Sequence, residues 1–144
     1  MSAPVPSRFG AVVERLRDAT NAHDIAGITA CFALDYRNET PTHPSRGFVG
    51  VGQVERNWVQ ILAGVPDLTC EVTALAVDTH AGRVWSEWEH RGTRRDGSVH
   101  LLRGVIIFTV EADLISAARF YLEPVQNDGT TVRDAVQQQV VRQP

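Results

Sequence analysis

The sequence has few of the features that mark membrane proteins, nucleic-acid-binding proteins or disulfide-stabilised proteins. Its strongest unbroken apolar run, residues 105–108, is far shorter than the ~20 residues that cross a bilayer. Its 14 basic residues are scattered along the chain, whereas a nucleic-acid-binding surface clusters them. Only two cysteines are present, Cys31 and Cys70, and both lie in apolar stretches typical of buried thiols. We therefore expect neither a membrane nor a nucleic acid as a partner.

Signals for export, for metal binding and for phosphate binding are also missing. Residues 1–6 have neither the charged nor the apolar region of a secretory signal peptide, which predicts a cytoplasmic protein. The five histidines show no metal-ligand spacing with the two cysteines. The glycines at 47–52 are not followed by the Lys-Ser/Thr pair of a phosphate-binding loop. We expect no metal and no cofactor.

The composition that remains is typical of one ordinary domain. The 144 residues are 43% hydrophobic and 22% charged, with a net charge of −3, which excludes a disordered, collagen-like or coiled-coil chain. We divide the chain into a lead-in at 1–6, a domain at 7–125 and a polar tail at 126–144. Three valines of the tail are spaced for one short amphipathic helix after Thr130 or Thr131, namely Val132, Val136 and Val140.

The first part of the domain has the apolar spacing of helices. Residues 7–22 repeat apolar side chains at helical spacing, and Ser7 is placed to cap them. Asp24 is placed as the N-cap of a second, short helix that carries Ile28 and Phe32 on one face.

A polar, proline-containing stretch at 35–50 precedes a third helix. Its start has the pattern of a short strand, and the remainder is a long loop of the kind that often borders a functional site. The third helix is predicted at 52–62, where Val54, Trp58 and Ile61 share one face.

Beyond residue 67 the apolar spacing changes from 3.6 to two, which is the period of strands. Turn residues divide this half into four predicted strands, at 68–77, 83–93, 99–110 and 114–125. Three helices followed by long strands joined by short turns indicate an α+β fold with an antiparallel sheet.

The Asp-Gly turn at 96–97 allows two registers for the second and third of these strands. A two-residue turn would pair His90 with Arg103. A three-residue loop with a left-handed Gly97 would instead pair His90 with Leu102.

We predict the second register because it brings better pairs together. It sets Glu89 opposite Arg103, an attractive pair, and Trp88 opposite Gly104, where the ring covers a missing side chain. One face of the sheet is then mostly apolar and should pack on the helices: Ser86, Trp88, His90, Leu102, Gly104, Ile106, Ala118, Phe120 and Leu122. The outer face mixes charged residues with four apolar or aromatic ones, which predicts a homodimer through that face: Trp85, Val105, Ile107 and Tyr121.

Four segments resemble those of a known family in their order and spacing: CFALDY at 31–36, WSEWE at 85–89, RGV at 103–105 and RFYLE at 119–123. They resemble the SnoaL-like branch of the nuclear transport factor 2-like superfamily. The resemblance implies a cone-shaped fold, in which a curved antiparallel sheet wraps around the N-terminal helices and forms an internal pocket. That superfamily includes ketosteroid isomerases, limonene epoxide hydrolases, polyketide cyclases, dehydratases and non-catalytic binding domains, so the fold alone assigns no reaction.

The catalytic carboxylates of these enzymes have no counterpart here. The positions of the Arg and two Asp residues of the epoxide hydrolases correspond to Trp88, His90 and Phe120, which excludes that mechanism. No Asp or Glu lies on the predicted inner face of the last three strands. His90 is the titratable side chain placed deep on that face, so we predict that its imidazole is the acid or base.

Other candidate site residues come from the first strand, the long loop and the sheet. Tyr36 and Asn38 lie where the resemblance implies polar groups facing the pocket, and we predict that one of them polarises a carbonyl. The other predicted pocket residues are Ser86, Trp58, Trp88, His100, Leu102 and Phe120. His43 and Arg46 either staple the long loop or contact a ligand from a lid.

Two functions fit these residues. The first is that of a protein that binds a small apolar carbonyl compound and acts on it as a cofactor-free isomerase, cyclase or dehydratase, by proton transfer. The alternative is a non-catalytic module that uses the same fold for ligand binding or dimerisation. The missing inner carboxylate favours the alternative, and a polar histidine inside an apolar pocket favours the enzyme.

Overall fold

The computed structural model describes residues 8–141, which form four helices and six strands. Their bounds, in chain order, are α1 (Arg8–Asn21), α2 (Ile25–Thr29), β1 (Phe32–Glu39), β2 (Phe48–Val49), α3 (Val51–Gly64), β3 (Thr69–Asp78), β4 (Arg83–Thr93), β5 (Val99–Glu111), β6 (Leu114–Pro124) and α4 (Val132–Val140). A single turn of 3₁₀ helix, Pro44–Arg46, lies between β1 and β2.

The six strands form one curled, unclosed sheet in the order β2-β1-β6-β5-β4-β3, which confirms the predicted α+β cone fold. The sheet is mixed rather than purely antiparallel, because β1 runs parallel to β6. Strands β3 to β6 are joined by short turns, which force antiparallel neighbours. No such turn joins β1 to β6. In the sheet, β1 lies next to β6, the last strand of the chain.

The helices agree with the apolar spacing except at the end of α2. The Asp24 Oδ1 accepts a hydrogen bond from Gly27 N at 3.0 Å, which confirms Asp24 as the N-cap. The assignment of Phe32 to that helix was wrong: α2 ends at Thr29 and Phe32 begins β1, where it pairs with Ile115. Tertiary strand pairing here overrides the local helical spacing. The predicted cap Ser7 lies outside the described residues.

The β4–β5 pairing confirms the predicted register. His90 is opposite Leu102, Glu89 is opposite Arg103 and Trp88 is opposite Gly104. The turn is the expected three-residue loop with Gly97 at φ +86°. The Arg103 Nε lies 2.9 Å from Glu89 Oε2, so the predicted opposite-charge pair also forms.

This register assigns the apolar face of the sheet to the interior. There it packs on α1 and α2, and the largest buried side chains lie between these two layers: Val12, Val13, Leu16, Ile28, Tyr36, Trp88, Ile106, Phe108 and Ile115. Cys31 and Cys70 are free and buried, as predicted.

The C-terminal helix α4 begins at a capping box, in which Thr131 and Asp134 bond to each other's backbone N–H. Its valine stripe, Val132, Val136 and Val140, stays at least half exposed. Among residues 8–141, no helix has both the length and the apolar character that crossing a membrane requires.

Gly104 is the position in β5 where the sheet depends on glycine. Its φ of +153° is rare for any other residue, and a Cβ placed there would lie 2.0 Å from the carbonyl oxygen of Tyr121. The β6 backbone therefore approaches β5 closely at this point, where β4 places Trp88 opposite Gly104.

Replacing Gly104 with alanine should lower the free energy of unfolding by about 3 kcal/mol or more, because the new methyl group overlaps the β6 backbone. Urea unfolding measures this change. Gly64→Ala is the matched control, because a Cβ there meets nothing within 4 Å, and it should change stability by less than ~1 kcal/mol. Equal effects of the two substitutions would contradict the close approach.

Candidate functional site

A cavity of about 290 Å³, partly open to solvent, lies between the inner face of the sheet and α3. Its wall is mostly apolar, with neutral polar groups from β1, the following loop and α3, and with one cation. The lining residues come from β1 (Phe32, Tyr36, Asn38), the following loop and β2 (Thr40, Arg46, Phe48), α3 (Val54, Asn57, Trp58, Ile61) and the last two strands (Leu102, Phe120, Leu122).

Five of the sequence-predicted site residues meet at this cavity: Tyr36, Asn38, Trp58, Leu102 and Phe120. In β1 the side chains of Tyr36 and Asn38 are buried while those of residues 37 and 39 are exposed. This alternation is the period of a strand, and over the second half of β1 it directs Tyr36 and Asn38 inward. The polar residues of β1 therefore face the wall formed by α3.

Tyr36 and Asn38 form a hydrogen-bonded pair in the cavity wall. The Tyr36 hydroxyl donates to Asn38 Oδ1 at 2.8 Å, and the Tyr36 ring packs edge-on against Phe32 and Phe48. Burial raises the pKa of Tyr36 far above its ordinary value of 10, so the hydroxyl keeps its proton. Tyr36 is thus a hydrogen-bonding group rather than a base.

The same pair keeps hydrogen-bonding capacity for another molecule. Within the described residues the Asn38 amide nitrogen has no hydrogen-bond partner. In either orientation of the Asn38 amide, the pair still offers one donor and one acceptor toward the cavity. This arrangement suits a carbonyl or hydroxyl oxygen.

His90 lies next to the cavity but does not line it. Its ring centre is 6.2 Å from that of Trp58 and 5.7 Å from that of Trp88, and the side chain is 7% exposed. Trp58, whose ring is a neighbour of the imidazole, lines the cavity. The His90 Nε2 is buried without a hydrogen-bond partner in the described part of the chain. A buried polar atom without a partner costs stability, and such an atom is often functional.

Burial also controls the charge of His90. It lowers the pKa of the imidazole from 6.5 to about 4, and the nearby His100 acts in the same direction to a smaller extent. The imidazole is therefore neutral at physiological pH, as the sequence predicts for an apolar surrounding.

The sequence also predicted three other residues on the pocket wall, Ser86, Trp88 and His100. None of them lines the cavity. The Ser86 hydroxyl donates to the carbonyl of Ile106 at 2.7 Å and accepts from Trp88 Nε1 at 2.8 Å, so both side chains are committed to the core. The sequence predicted correctly which side chains lie on the inner face. Which of them line the cavity depends on where α3 packs against that face.

Several lining residues were not predicted as site residues. Asn57 lies beside Trp58 on the inward face of α3, so helical spacing from Val54 could have found it. Thr40 continues the inward alternation of β1 past the end of the strand. Arg46 was considered only as a loop staple or lid contact, and the structure places it on the cavity wall.

No Asp or Glu lines the cavity among the residues that the structure describes, in agreement with the sequence analysis. Glu87 and Glu89 lie on the outer face, where Arg91 and Arg103 hold the pKa of Glu89 below its ordinary value. Residues 8–141 also contain no group of three or more His, Cys, Asp or Glu side chains arranged to hold a metal ion.

The buried imidazole should make stability depend on pH. Between pH 6.5 and about 4 the unfolded chain binds a proton at His90 and the folded chain does not, so stability falls as the pH falls. The loss should reach about 3 kcal/mol at pH 4. Urea unfolding from pH 4 to 8 tests this, and His90→Gln should remove that part of the dependence. An identical pH profile in the variant would contradict it.

Comparison with known proteins identifies the family. The family model of the SnoaL-like domain matches residues 13–118. No curated protein sequence matches the chain.

Solved structures share the fold. A protein of unknown function with a cystatin-like fold from Methylobium petroleophilum PM1 is 25% identical, with a TM-score of 0.68 over 88% of this chain and 84% of that chain. A protein classed with SnoaL-like polyketide cyclases from Jannaschia sp. CCS1 is 16% identical, with a TM-score of 0.70 over 85% and 90% of the two chains. A Mycobacterium tuberculosis protein in complex with estradiol-17beta-hemisuccinate is 21% identical, with a TM-score of 0.70 over 81% and 93%. The chain described here therefore belongs to the SnoaL-like domain family.

Proposed function

We propose that this chain binds a small, mostly apolar molecule in the cavity and holds one oxygen atom of it at the Tyr36–Asn38 pair. The observation that carries this proposal is the composition of the wall. A concave, mostly apolar cavity of about 290 Å³ holds in its wall the buried Tyr36–Asn38 pair, which keeps a free donor and acceptor. Small-molecule sites commonly have this composition, with apolar area for affinity and few polar groups for orientation.

The combination of apolar wall and polar pair favours, as the ligand, a ring compound with an oxygen substituent. Apolar rings fill the space between Trp58, Phe120 and Leu122 and are removed from water there. A molecule without an oxygen would leave the polar pair unsatisfied and lose affinity. The M. tuberculosis protein of the same fold holds an estradiol derivative, a ligand with this combination of features.

Proton-transfer catalysis is the second candidate function, and one observation favours it. The neutral His90 imidazole has a buried Nε2 without a partner, one aromatic ring away from the cavity. If Trp58 moves aside, His90 takes a proton from carbon next to a ligand carbonyl and returns it at another carbon. Tyr36 and Asn38 then hydrogen-bond the enolate oxygen. We rank binding first because the described cavity wall does not include His90.

Tyr36→Phe tests both candidates with estradiol as the binding probe. The substitution keeps the ring that packs on Phe32 and removes the hydroxyl, so affinity should fall by about tenfold, the value of one or two hydrogen bonds. Quenching of tryptophan fluorescence measures it. Tyr121→Phe, in β6 on the outer face, is the control and should leave affinity unchanged.

An assay with a β,γ-unsaturated steroid ketone separates the two candidates. Conversion of this ketone, slowed in Tyr36→Phe by more than the loss of affinity, would favour the catalytic candidate. Binding without conversion supports the non-catalytic one. Equal affinity of the wild type and Tyr36→Phe for estradiol would contradict the role of the polar pair.

We also propose that two copies associate through the outer face of the sheet. On that face Trp85 is 47% exposed and borders a shallow depression that Val105 also lines. Exposed aromatic and aliphatic area of this kind, surrounded by charged residues, is typical of protein interfaces.

Val105→Lys should separate the two copies, because it buries an unpaired charge in the interface. Light scattering should give twice the 15.9 kDa of one chain for the wild type and a single-chain mass for the variant. Val49→Lys, on β2 at the opposite edge of the sheet, is the control and should stay dimeric. A wild-type mass of one chain at micromolar concentration would contradict the proposal.

A further inference from the structure

Arg46 differs in kind from the other residues of the cavity wall. Of the described residues that line the cavity, Arg46 alone carries a charge. It is exposed, whereas Tyr36, Asn38 and Thr40 of the same wall are buried, so the cation lies at the mouth and the neutral polar pair lies deeper. The cavity therefore has a positive charge at its mouth and uncharged polar groups deeper inside.

The segment that carries Arg46 is a series of turns with a fixed shape. His43 N donates to Thr40 O at 2.8 Å, and Arg46 N donates to His43 O at 3.0 Å. At the end of the segment, Gly50 N donates to Tyr36 O at 2.7 Å. These bonds tie both ends of the segment to β1, and so they hold the Arg46 backbone in place at the cavity mouth.

The carboxylates that flank this segment contact other side chains rather than Arg46. Glu123 Oε1 lies 3.1 Å from His43 Nε2, and Glu39 Oε2 lies 3.7 Å from Arg119 Nε. Within residues 8–141, Arg46 has no ion pair of its own. The cavity mouth thus presents a positive charge that no described carboxylate neutralises.

We propose that the ligand of this cavity is an amphipathic carboxylate, with its carboxylate paired to Arg46 at the mouth and its apolar body inside. This inference rests on the proposed binding function and specifies the ligand class. A guanidinium matches a carboxylate with two parallel hydrogen bonds, and the exposed position of Arg46 lets the anion stay hydrated. A carboxylate placed inside, among Trp58, Phe120 and Leu122, would lose its water and gain no cation.

The ligand then has two polar ends. Its carboxylate lies at Arg46, and a second oxygen, a carbonyl or hydroxyl, reaches the Tyr36–Asn38 pair. One guanidinium balances one negative charge, so a monoanion fits this wall better than a phosphate dianion.

The test compares naphthylacetate with naphthylacetamide, which have the same ring and differ in charge, on the full chain by isothermal titration calorimetry. The acid should bind about tenfold more tightly than the amide at low salt, as expected for hydrogen bonds to a charged group. Added salt should reduce the difference, because the pair lies at the solvent boundary.

Arg46→Gln should abolish the preference for the acid, because it weakens binding of the acid much more than binding of the amide. Arg46→Lys should keep part of the preference for the acid, since lysine retains the charge but lacks the planar guanidinium group. Arg83→Gln is the matched control, because Arg83 is an exposed arginine at the start of β4 that does not line the cavity.

The two probes separate failure of this inference from failure of the proposed function. Equal binding of acid and amide by the wild type, or a preference for the acid that persists in Arg46→Gln, would overturn the carboxylate assignment while the binding function stands. Binding of neither probe would overturn both. A preference for the acid that is lost in Arg46→Gln and kept in Arg83→Gln supports the assignment.

Discussion

The pairing of β4 with β5 is the constraint on which the interior of this protein depends. A strand has a side-chain period of two, so a shift of one residue would exchange its inner and outer faces. The left-handed Gly97 in the turn and the contact of Glu89 with Arg103 select one register. In that register the charged residues of β4 face outward, and Trp88 lies opposite Gly104 on the inside.

The same pairing explains why the cavity is free of carboxylates. Glu87, Glu89 and Glu123 belong to the outer face, where Arg103 pairs with Glu89 and His43 contacts Glu123. The interior is left with neutral polar groups from β1, the following loop and α3, and with Arg46 at the mouth. A cavity with these groups favours an electron-rich oxygen over a cationic group, because nothing inside it offers a negative charge.

His90 is the residue whose position conflicts most with simple packing. An imidazole held neutral between Trp58 and Trp88, with Nε2 unpartnered, lowers stability relative to an apolar side chain of similar size. The adjoining Ser86 and Trp88 show that this region can satisfy its polar atoms, since their side chains bond to each other. The unsatisfied imidazole is therefore a specific feature of this chain, and Trp58 is a cavity-lining side chain next to it.

The sequence by itself determined the last four strands, the β4–β5 register and the two faces of the sheet they form, because turn chemistry and a period of two are local properties. The resemblance to the family also implied that Tyr36 and Asn38 face the pocket. The sequence did not determine that Phe32 begins β1, that Phe48 and Val49 form β2, that β1 lies parallel to β6, or that Trp58 and not His90 lines the cavity. Nor did it show that Arg46 reaches the cavity wall. Those features depend on how segments distant in the chain pack against each other, and tertiary packing decides them.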